Sequence, residues 1–364
     1  MKRDIVFDIF KGIGIILMVA AHAIAPGKSD IYLFHMAIFF IVSGIFFKEK
    51  HYENITNVLK AFKSKCRHLF VPFVLWNGAL TLLHNLFMHI NIYTNNPQFL
   101  SLPMGAEFGL KEYYPPIQVA AKFLSTFLFS HFEQLGGATW FLRVLFLISV
   151  GTLLGHYILS KFVKNKRIFN IIVFFAFITS LMFGYYLQKA GFNFYGIGST
   201  FSCAILYYLG ILYNSYKNII NINFSVFACS IIALFIAHHC ILGQIGLGLN
   251  HYPNPLWLVV VSLSGFIFVL FISKILSRYD VAGKIFSYIG MHTISILLFH
   301  FLGFKLITYI HTVIYSEPSY YLAAFPVLTN TGFWWLAYCL AGVGLPLIFA
   351  FCWEKLQNRF KTAE

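Results

Sequence analysis

Two apolar stretches near the start of the chain decide the kind of fold: FDIFKGIGIILMVAAHA at residues 7–23 and LFHMAIFFIVSGIFFK at residues 33–48. Each is close to the length that an α-helix needs to cross the roughly 30 Å hydrocarbon core of a bilayer. The polar turn between them, at residues 26–30, is short. We therefore predict an antiparallel pair of membrane-spanning helices at the start of the chain.

The composition of the whole chain favours a membrane protein. Of its 364 residues, 59% are hydrophobic and only 10% are charged, whereas a soluble domain carries about 25% charged residues. This difference excludes a soluble enzyme, a secreted domain and a disordered regulator. The six cysteines show no paired spacing, so we predict neither a disulfide framework nor a zinc site.

About ten transmembrane helices are predicted from stretches of about 20 apolar residues. They lie at residues 5–25, 31–47, 69–91, 140–160, 168–188, 196–214, 222–242, 255–277, 288–314 and 333–353. Of the Lys and Arg residues between these spans, 19 fall on one side of the membrane and 4 on the other. Since cytoplasmic loops carry such an excess, both termini are predicted to be cytoplasmic. The net charge of +14 therefore indicates topology and contact with membrane lipids, not a nucleic-acid partner.

The predicted architecture is all-α and polytopic, with one transmembrane domain over residues 1–364. The long outer segment, at about residues 92–139, shows helical periodicity at 117–132, and no soluble domain is predicted. A cleavable signal peptide is the alternative for the first stretch, because Ala23-Ile24-Ala25 resembles a cleavage site. Asp8 and Lys11 interrupt the required apolar run, so we expect the first span to be retained.

Three ionisable side chains share one face of the first predicted helix. Asp8 and Lys11 are three residues apart, so they are expected to form an ion pair. His22 follows Lys11 by eleven residues, which is within about 20° of a whole number of helical turns. Ionisable groups inside a bilayer are costly and often mark a functional site. A buried structural network and snorkelling near the helix ends are the alternatives.

The second stretch places another histidine near the first. In a tight hairpin, facing residues have numbers that sum to about 57, so His35 is predicted to face His22. Ser43 and Gly44 then lie level with Gly14, where small residues let two helices approach closely. Two histidines at one depth, with a carboxylate and a lysine on the same wall, predict a polar cavity.

These two stretches resemble membrane acyltransferase family 3, and most of all its subgroup typified by fucose 4-O-acetylase. The resemblance lies in the basic residue, ten residues and His of Lys11 to His22, and in the Phe-His-Met, Phe-Phe and Ser-Gly of the second stretch. Looser matches at TWFLRVLF (139–146) and IFSYIGMHTISILLFH (285–300) extend it over nearly the whole chain. Lys11 stands where the family more often has Arg. In the family, Pro-Leu often follows the Phe-His-Met motif, whereas this chain has Ala37-Ile38 at that place. The resemblance therefore does not decide whether the second helix is kinked there.

The resemblance implies an O-acyltransferase of the cell inner (cytoplasmic) membrane. It would move an acetyl group from cytosolic acetyl-CoA, its co-substrate, to a hydroxyl of a cell-envelope glycan or other sugar-containing acceptor, with no metal. His22 is then the general base, because an imidazole suits proton transfer near neutral pH. Asp8 orients Lys11, and His35 positions the acceptor or shares the proton. Passage of the acyl group through His22 and the oligomeric state are left open.

A basic cluster precedes the third predicted span. The resemblance assigns Lys63, Lys65 and Arg67 to the phosphates of the acyl-CoA, with Ser43 and Phe40 also on the donor side. Positive-inside topology and anionic lipid headgroups account for such a cluster equally well without a ligand.

Residues near the outer ends of later spans are candidates for the acceptor sugar: Trp140, Arg143, Asn250, Tyr252 and His300. For Arg143 the alternative is an ion pair with Glu133, and for His300 it is a satisfied histidine in the protein core. Lys305, in the ninth span, is expected to snorkel. The histidines near the end of the seventh span lack the spacing of a metal site.

Two other classes of membrane protein compete with an acyltransferase. A flippase or transporter for a lipid-linked glycan also needs charges within the membrane, but it predicts inverted repeats and broken helices, which are not evident. A glycan polymerase predicts a large basic outer loop, whereas residues 92–139 hold two lysines and three glutamates.

Overall fold

The computed structural model describes residues 4–240 and 245–361, and the regular secondary structure of this part is helical, without a named strand. The fifteen α-helices of the described residues are α1 (Ile5–His22), α2 (Lys28–Tyr32), α3 (Ala37–Ile45), α4 (Ile55–Lys65), α5 (Val71–Leu82), α6 (His84–His89), α7 (Pro116–Thr126), α8 (Trp140–Phe162), α9 (Lys166–Lys189), α10 (Ile197–Tyr216), α11 (Phe224–Cys240), α12 (Pro255–Leu276), α13 (Asp280–Met291), α14 (Thr293–Ile314) and α15 (Trp334–Lys361). The all-α prediction is confirmed.

Eight helical segments in the described residues are long and apolar enough to cross a membrane. They are Ile5–His22, Lys28–Ile45, Gln134–Phe162, Lys166–Lys189, Phe194–Tyr216, Pro255–Leu276, Thr293–Ile314 and Trp334–Lys355. The predicted span at 69–91 consists instead of the shorter helices α5 and α6, and α11, within the predicted span at 222–242, has 17 residues. A polytopic membrane protein is confirmed, while the count of ten and the cytoplasmic termini stay predictions.

The second span is not one continuous helix. Helix α2 ends at Tyr32, residues 33–36 form a turn, and α3 begins at Ala37. The break therefore lies directly before Ala37-Ile38, although neither residue is the proline that would enforce a kink. His35 lies in this turn rather than on a regular helical face.

The helices form two compact units, each assembled from separate parts of the chain. Within the described residues, unit 1 contains residues 4–31, 76–139 and 276–361, and unit 2 contains residues 32–75, 140–240 and 245–275. The prediction of one domain over the whole chain is not tested by this division.

In unit 1, α1 packs closely against α13. A Cβ atom at Gly12 would collide with the carbonyl oxygen of Phe286, and one at Gly290 would collide with that of Asp8. Glycine thus allows the two backbones to touch where the ion-pair region of α1 lies. Helix α14 packs against α15 and also contacts α1.

In unit 2, the central contact joins α3 to α10. A Cβ atom at Gly44 would collide with the carbonyl oxygen of Tyr207, and one at Gly210 would collide with that of Ile41. The sequence correctly marks Gly44 as a site of close helix approach. The structure gives α10 as its partner, and the predicted crossing with Gly14 of α1 stays a prediction.

The long segment between α6 and α8 contains α7, so the helix predicted at 117–132 is present but shorter. It begins at Pro116, a position that proline favours because the first helical residues donate no intrahelical hydrogen bond. It ends at Thr126, and Phe129 adopts a left-handed conformation with φ of 56°. The exposed side chains of Ile117 and Leu124 are consistent with an interfacial position.

Candidate functional site

The ion pair predicted in the first helix is present. Lys11 Nζ lies 2.8 Å from Asp8 Oδ1, with the Asp8 side chain 6% exposed and that of Lys11 25% exposed. Asp4 caps the helix by accepting a hydrogen bond from the backbone N–H of Val6. This contact confirms the ion pair that the three-residue spacing predicts. Each charge compensates the other in the membrane.

His22, the last residue of α1, contacts a histidine that is 278 residues away in the sequence. Its Nδ1 atom lies 3.0 Å from Nε2 of His300, within hydrogen-bonding distance. The His300 ring is fully buried inside α14, and the two ring centroids are 5.2 Å apart. The structure thus gives His300 a place beside the predicted base, whereas the sequence placed it on the acceptor side.

Backbone carbonyls determine where the protons of this histidine pair lie. Nδ1 of His300 lies 3.0 Å from the carbonyl oxygens of Ile296 and Leu297, which can only accept hydrogen bonds. A neutral His300 therefore carries its proton on Nδ1 and accepts through Nε2. His22 must then donate from its own Nδ1, so this network assigns the lone pair of neutral His22 to Nε2.

Aromatic rings surround the histidine pair in unit 1. Phe301 stacks on His22 with a centroid distance of 5.2 Å, and Phe304 meets the His300 ring edge-on at 5.6 Å. Phe325, from the segment before α15, packs against Phe301 at 4.5 Å. The imidazoles therefore lie in a largely apolar setting, in which each hydrogen bond is stronger than in water.

His35 belongs to unit 2, while His22 belongs to unit 1. Its side chain is buried, and its ring meets Tyr32 edge-on at a centroid distance of 4.9 Å. The predicted facing of His22 and His35 therefore stays a prediction.

The predicted donor-side cluster lies at a local change of helix type. The chain leaves α4 at Lys65 and forms a π-helical turn at Cys66–Phe70 before α5 begins. Lys63 and Arg67 are exposed, whereas Lys65 is half-buried and its burial lowers its pKa. A π turn is rare and often occurs at functional sites. No sequence signal predicted this turn.

The two other donor-side candidates lie in α3 of unit 2. Phe40 is fully buried and packs against Phe141, with ring centroids 4.9 Å apart. Ser43 is half-buried. Phe40 thus has a clear structural role in the core, and contact with an acyl group stays a prediction for both residues.

Trp140 and Arg143 begin α8, also in unit 2. The indole of Trp140 is half-buried and lies against Gly248. A Cβ atom added to Gly248 would lie only 2.9 Å from Cε2 of the Trp140 ring. Arg143 is 6% exposed, and its guanidinium lies against Gly196. Both side chains therefore pack on glycines of the two loops that follow α9 and α11, and their role with an acceptor stays a prediction.

Asn250 and Tyr252 form part of a buried polar network. The Asn250 amide accepts from Ser202 Oγ at 2.7 Å and donates to the carbonyl of Gly184 at 2.9 Å. The Tyr252 hydroxyl lies 2.8 Å from Ser202 Oγ, and burial raises its pKa to about 12. These groups fasten the loop before α12 onto α9 and α10. Their polar atoms have protein partners, and the glycan contact expected of them stays a prediction.

A buried histidine–carboxylate cluster in unit 1 was not predicted from the sequence. Glu133 contacts His84 Nδ1 at 3.0 Å through one oxygen and His131 Nε2 at 3.2 Å through the other. Burial opposes ionisation of Glu133, but the hydrogen bonds and charges of both histidines lower its pKa to about 2. His131-x-Glu133 is a local signal, whereas His84 lies 49 residues from Glu133 in the sequence. This cluster gives Glu133 two partners other than the predicted Arg143.

Family comparison identifies the class of this molecule. The fold and the histidine pair define a polytopic membrane protein with ionisable groups inside its helical core. The chain belongs to the acyltransferase 3 family, since the model of that family, described as an acyltransferase domain, matches residues 4–359. No curated protein and no solved structure gives a significant match. Family membership confirms the resemblance to membrane acyltransferase family 3 and indicates an enzyme that transfers acyl groups, whereas the fucose 4-O-acetylase subgroup stays a prediction. Among the described residues, no cluster of three or more His, Cys, Asp or Glu side chains could hold a metal ion.

Proposed function

We propose that this chain is an O-acetyltransferase of the cell inner membrane. It takes an acetyl group from cytosolic acetyl-CoA and transfers it to a hydroxyl of a cell-envelope glycan or a related sugar-containing acceptor, as in fucose 4-O-acetylases. The observation that supports this most strongly is the His22–His300 contact at 3.0 Å, whose proton order assigns a lone pair to His22 Nε2. A base of this kind is what a hydroxyl needs before it can attack a thioester.

His22 Nε2 is the proton acceptor in this proposal. As the acceptor hydroxyl attacks the thioester carbonyl carbon, its proton passes to His22 Nε2 and a new C–O bond forms. The C–S bond then breaks, and the departing CoA thiolate takes a proton, which regenerates neutral His22. The products are an acetyl ester and free CoA, so the step needs no oxidant and no metal.

His300 is a positioning residue for the base. Its Nε2 accepts the Nδ1–H of His22, which fixes the tautomer and the ring orientation, and it continues to accept when His22 becomes an imidazolium. In many hydrolases a carboxylate has this task. Here a fully buried neutral ring, held by two backbone carbonyls, performs it.

The Asp8–Lys11 pair contributes a fixed, compensated charge rather than a second base. At 1.5 Å per residue, roughly 16 Å of helix separate Lys11 from His22. Lys11 is therefore too far along the helix to touch His22, but its partly exposed ammonium group is suited to a polar part of the donor. Asp8 holds that ammonium group in place.

The π turn is the proposed capture site for the CoA phosphates. Lys63 and Arg67 are exposed cations four residues apart, and guanidinium groups bind phosphate oxygens in a bidentate fashion. Arg67→Ala should raise the KM for acetyl-CoA by roughly tenfold with little change in kcat. The matched control is Lys164→Ala, an exposed cation outside this turn. Equal KM values in both variants would contradict a phosphate contact and leave Arg67 with the alternative role, that of a cytoplasmic-side charge that sets membrane topology.

The decisive experiment follows the acetyl group. Purified protein in lipid vesicles is given radiolabelled acetyl-CoA and the envelope glycan fraction of cells that lack the gene. We expect labelled ester in the glycan and an equal amount of free CoA. A flippase for a lipid-linked glycan would leave acetyl-CoA intact, and that result would contradict the proposal. Mass spectrometry of envelope glycans from cells with and without the gene then identifies the acceptor.

A further inference from the structure

Lys305 is a buried cation in the middle of α14 that the proposed chemistry does not use. It lies thirteen residues into the candidate span Thr293–Ile314 and is only 5% exposed. The expectation that it snorkels to the membrane surface is therefore wrong. A lysine that stays inside a membrane helix core must find partners there, and such residues have a function more often than not.

The partners of Lys305 are two backbone carbonyls of one short segment. Its Nζ atom donates to the carbonyl oxygen of Leu322 at 2.7 Å and to that of Ala324 at 2.9 Å. No carboxylate of the described residues lies within ion-pair distance of Nζ. The Nζ hydrogen bonds of Lys305 thus hold the chain path of residues 319–328, which we name the 319–328 segment.

The 319–328 segment packs back onto the loop before α7. The N–H of Phe325 donates to the carbonyl of Gly105 at 2.9 Å, and a small apolar cluster joins the two loops. That cluster comprises Phe99, Leu102, Ala323, Ala324 and Leu328. The 319–328 segment is therefore held from two directions: by Lys305 of α14 and by the 97–110 loop.

One side chain of this segment reaches the rings around the proposed base. Phe325 packs on Phe301 at 4.5 Å, and Phe301 stacks on His22 at 5.2 Å. Since Phe325 directly follows Ala324, the two Lys305 hydrogen bonds hold the backbone next to its ring, together with the Phe325–Gly105 hydrogen bond. Any loosening of the segment will move the aromatic cover of His22.

We propose that Lys305 is a positioning residue of the reaction: it holds the 319–328 segment so that Phe325 and Phe301 cover His22 and keep water from replacing the acceptor hydroxyl. This inference rests on the proposed acetyl transfer. If water reaches His22 Nε2, its proton passes to that nitrogen and its oxygen attacks the thioester carbonyl, which gives acetate and free CoA. A closed cover therefore favours ester over acetate.

The test compares Lys305→Met, Lys305→Arg and wild type. In Lys305→Met we expect transfer to the glycan fraction to fall by roughly tenfold, while acetate formed per ester rises. Hydrogen exchange of the 319–328 amides should speed up without a change in α13. Lys305→Arg retains the donors and should recover transfer to within about threefold of wild type. Lys122→Met, which removes a cation of the same unit that lies over Tyr114, is the control.

The outcomes separate this inference from the proposed function. Wild-type activity together with an unchanged acetate-to-ester ratio in Lys305→Met would overturn the inference alone. Unchanged exchange of the 319–328 amides in that variant would also overturn it. If wild type transfers no acetyl group, the proposed function fails, and faster exchange in Lys305→Met would still support the contact that positions the segment.

Discussion

Two of the histidine contacts in unit 1, those of His22 and His84, differ in the groups that face the ring nitrogens. His22 donates to a neutral ring nitrogen of His300, whose own proton is held by backbone carbonyls. His84 instead places Nδ1 3.0 Å from a carboxylate oxygen of Glu133 and Nε2 2.9 Å from the backbone carbonyl oxygen of Glu112. Both ring nitrogens of His84 therefore lie against oxygen atoms of the protein.

The difference indicates which cluster can perform acid–base chemistry. Both ring nitrogens of His84 are occupied by protein oxygens, so the His84–Glu133 contact is suited to fixing structure. In the His22–His300 pair, the proton order places the lone pair of a neutral His22 on Nε2, the atom that we propose as the base. The proposed base is therefore the histidine that contacts a second imidazole, and the groups around both ring nitrogens are a better criterion for proposing it than proximity to a carboxylate.

The largest effect should come from removing the proposed base. His22→Ala should lower acetyl transfer by roughly a hundredfold or more, the usual contribution of a general base. Expression and thermal unfolding should stay close to wild type, because His22 is half-buried at the end of α1. Label transfer from acetyl-CoA measures the loss. Wild-type activity in this variant would remove His22 from the role of base.

Replacing His300 should lower kcat by less than replacing His22 does. The size of the loss should depend on whether the new side chain offers an acceptor atom to His22 Nδ1. His300→Leu removes the acceptor for His22 Nδ1 and should lower kcat by roughly ten- to a hundredfold with little change in KM. His300→Gln places an amide oxygen near the same position and should retain clearly more activity. Equal kcat values in the two variants would show that His300 only fills space.

Glu133 should affect stability and leave the chemistry unchanged. Its pKa is lowered from 4.5 to about 2, so the ionised carboxylate stabilises the fold above about pH 4.5. This stabilisation, about 3 kcal/mol at neutral pH, is lost as the pH falls toward 2. Glu133→Gln should lower the unfolding temperature at pH 7 and reduce its fall with acid. The folded variant should show wild-type kcat, and a reduced kcat would place this cluster in the reaction.

The smallest effect is expected at His131. Its side chain is 15% exposed and it contacts only one oxygen of Glu133, so water can replace it. His131→Ala should lower the free energy of unfolding by about 1 kcal/mol, well below the effect of Glu133→Gln. Thermal unfolding of both variants in the same detergent measures this order. The reverse order would mean that His131 contributes to the fold beyond its contact with Glu133.

Much of the fold follows from local sequence. Long apolar runs predict the spans because the bilayer sets helix length, and the three-residue spacing of Asp8 and Lys11 predicts their ion pair. The turn before Ala37 contains no proline from which it could be predicted, and no local sequence pattern predicts the π turn at Cys66–Phe70. These departures depend on packing between distant segments.

The candidate site was only partly predictable. His22 stands out by its position on the polar face of α1, but its partner is 278 residues away. Spacing arguments reach only neighbours within one helix or hairpin, which is why they selected His35. The proton order of the pair depends on carbonyls of α14, and no side-chain pattern encodes their direction.

The division of unit 1 among separate chain segments has a consequence for biosynthesis. His22 belongs to α1, whereas His300 belongs to α14, which the ribosome makes much later. At 5–20 residues per second, the 278 intervening residues take roughly 15 to 55 seconds to synthesise. A nascent chain that stops after α12 lacks half of the pair. In the proposed chemistry such truncated products lack the residue that positions His22, so we expect them to transfer little acetyl until α14 has been made.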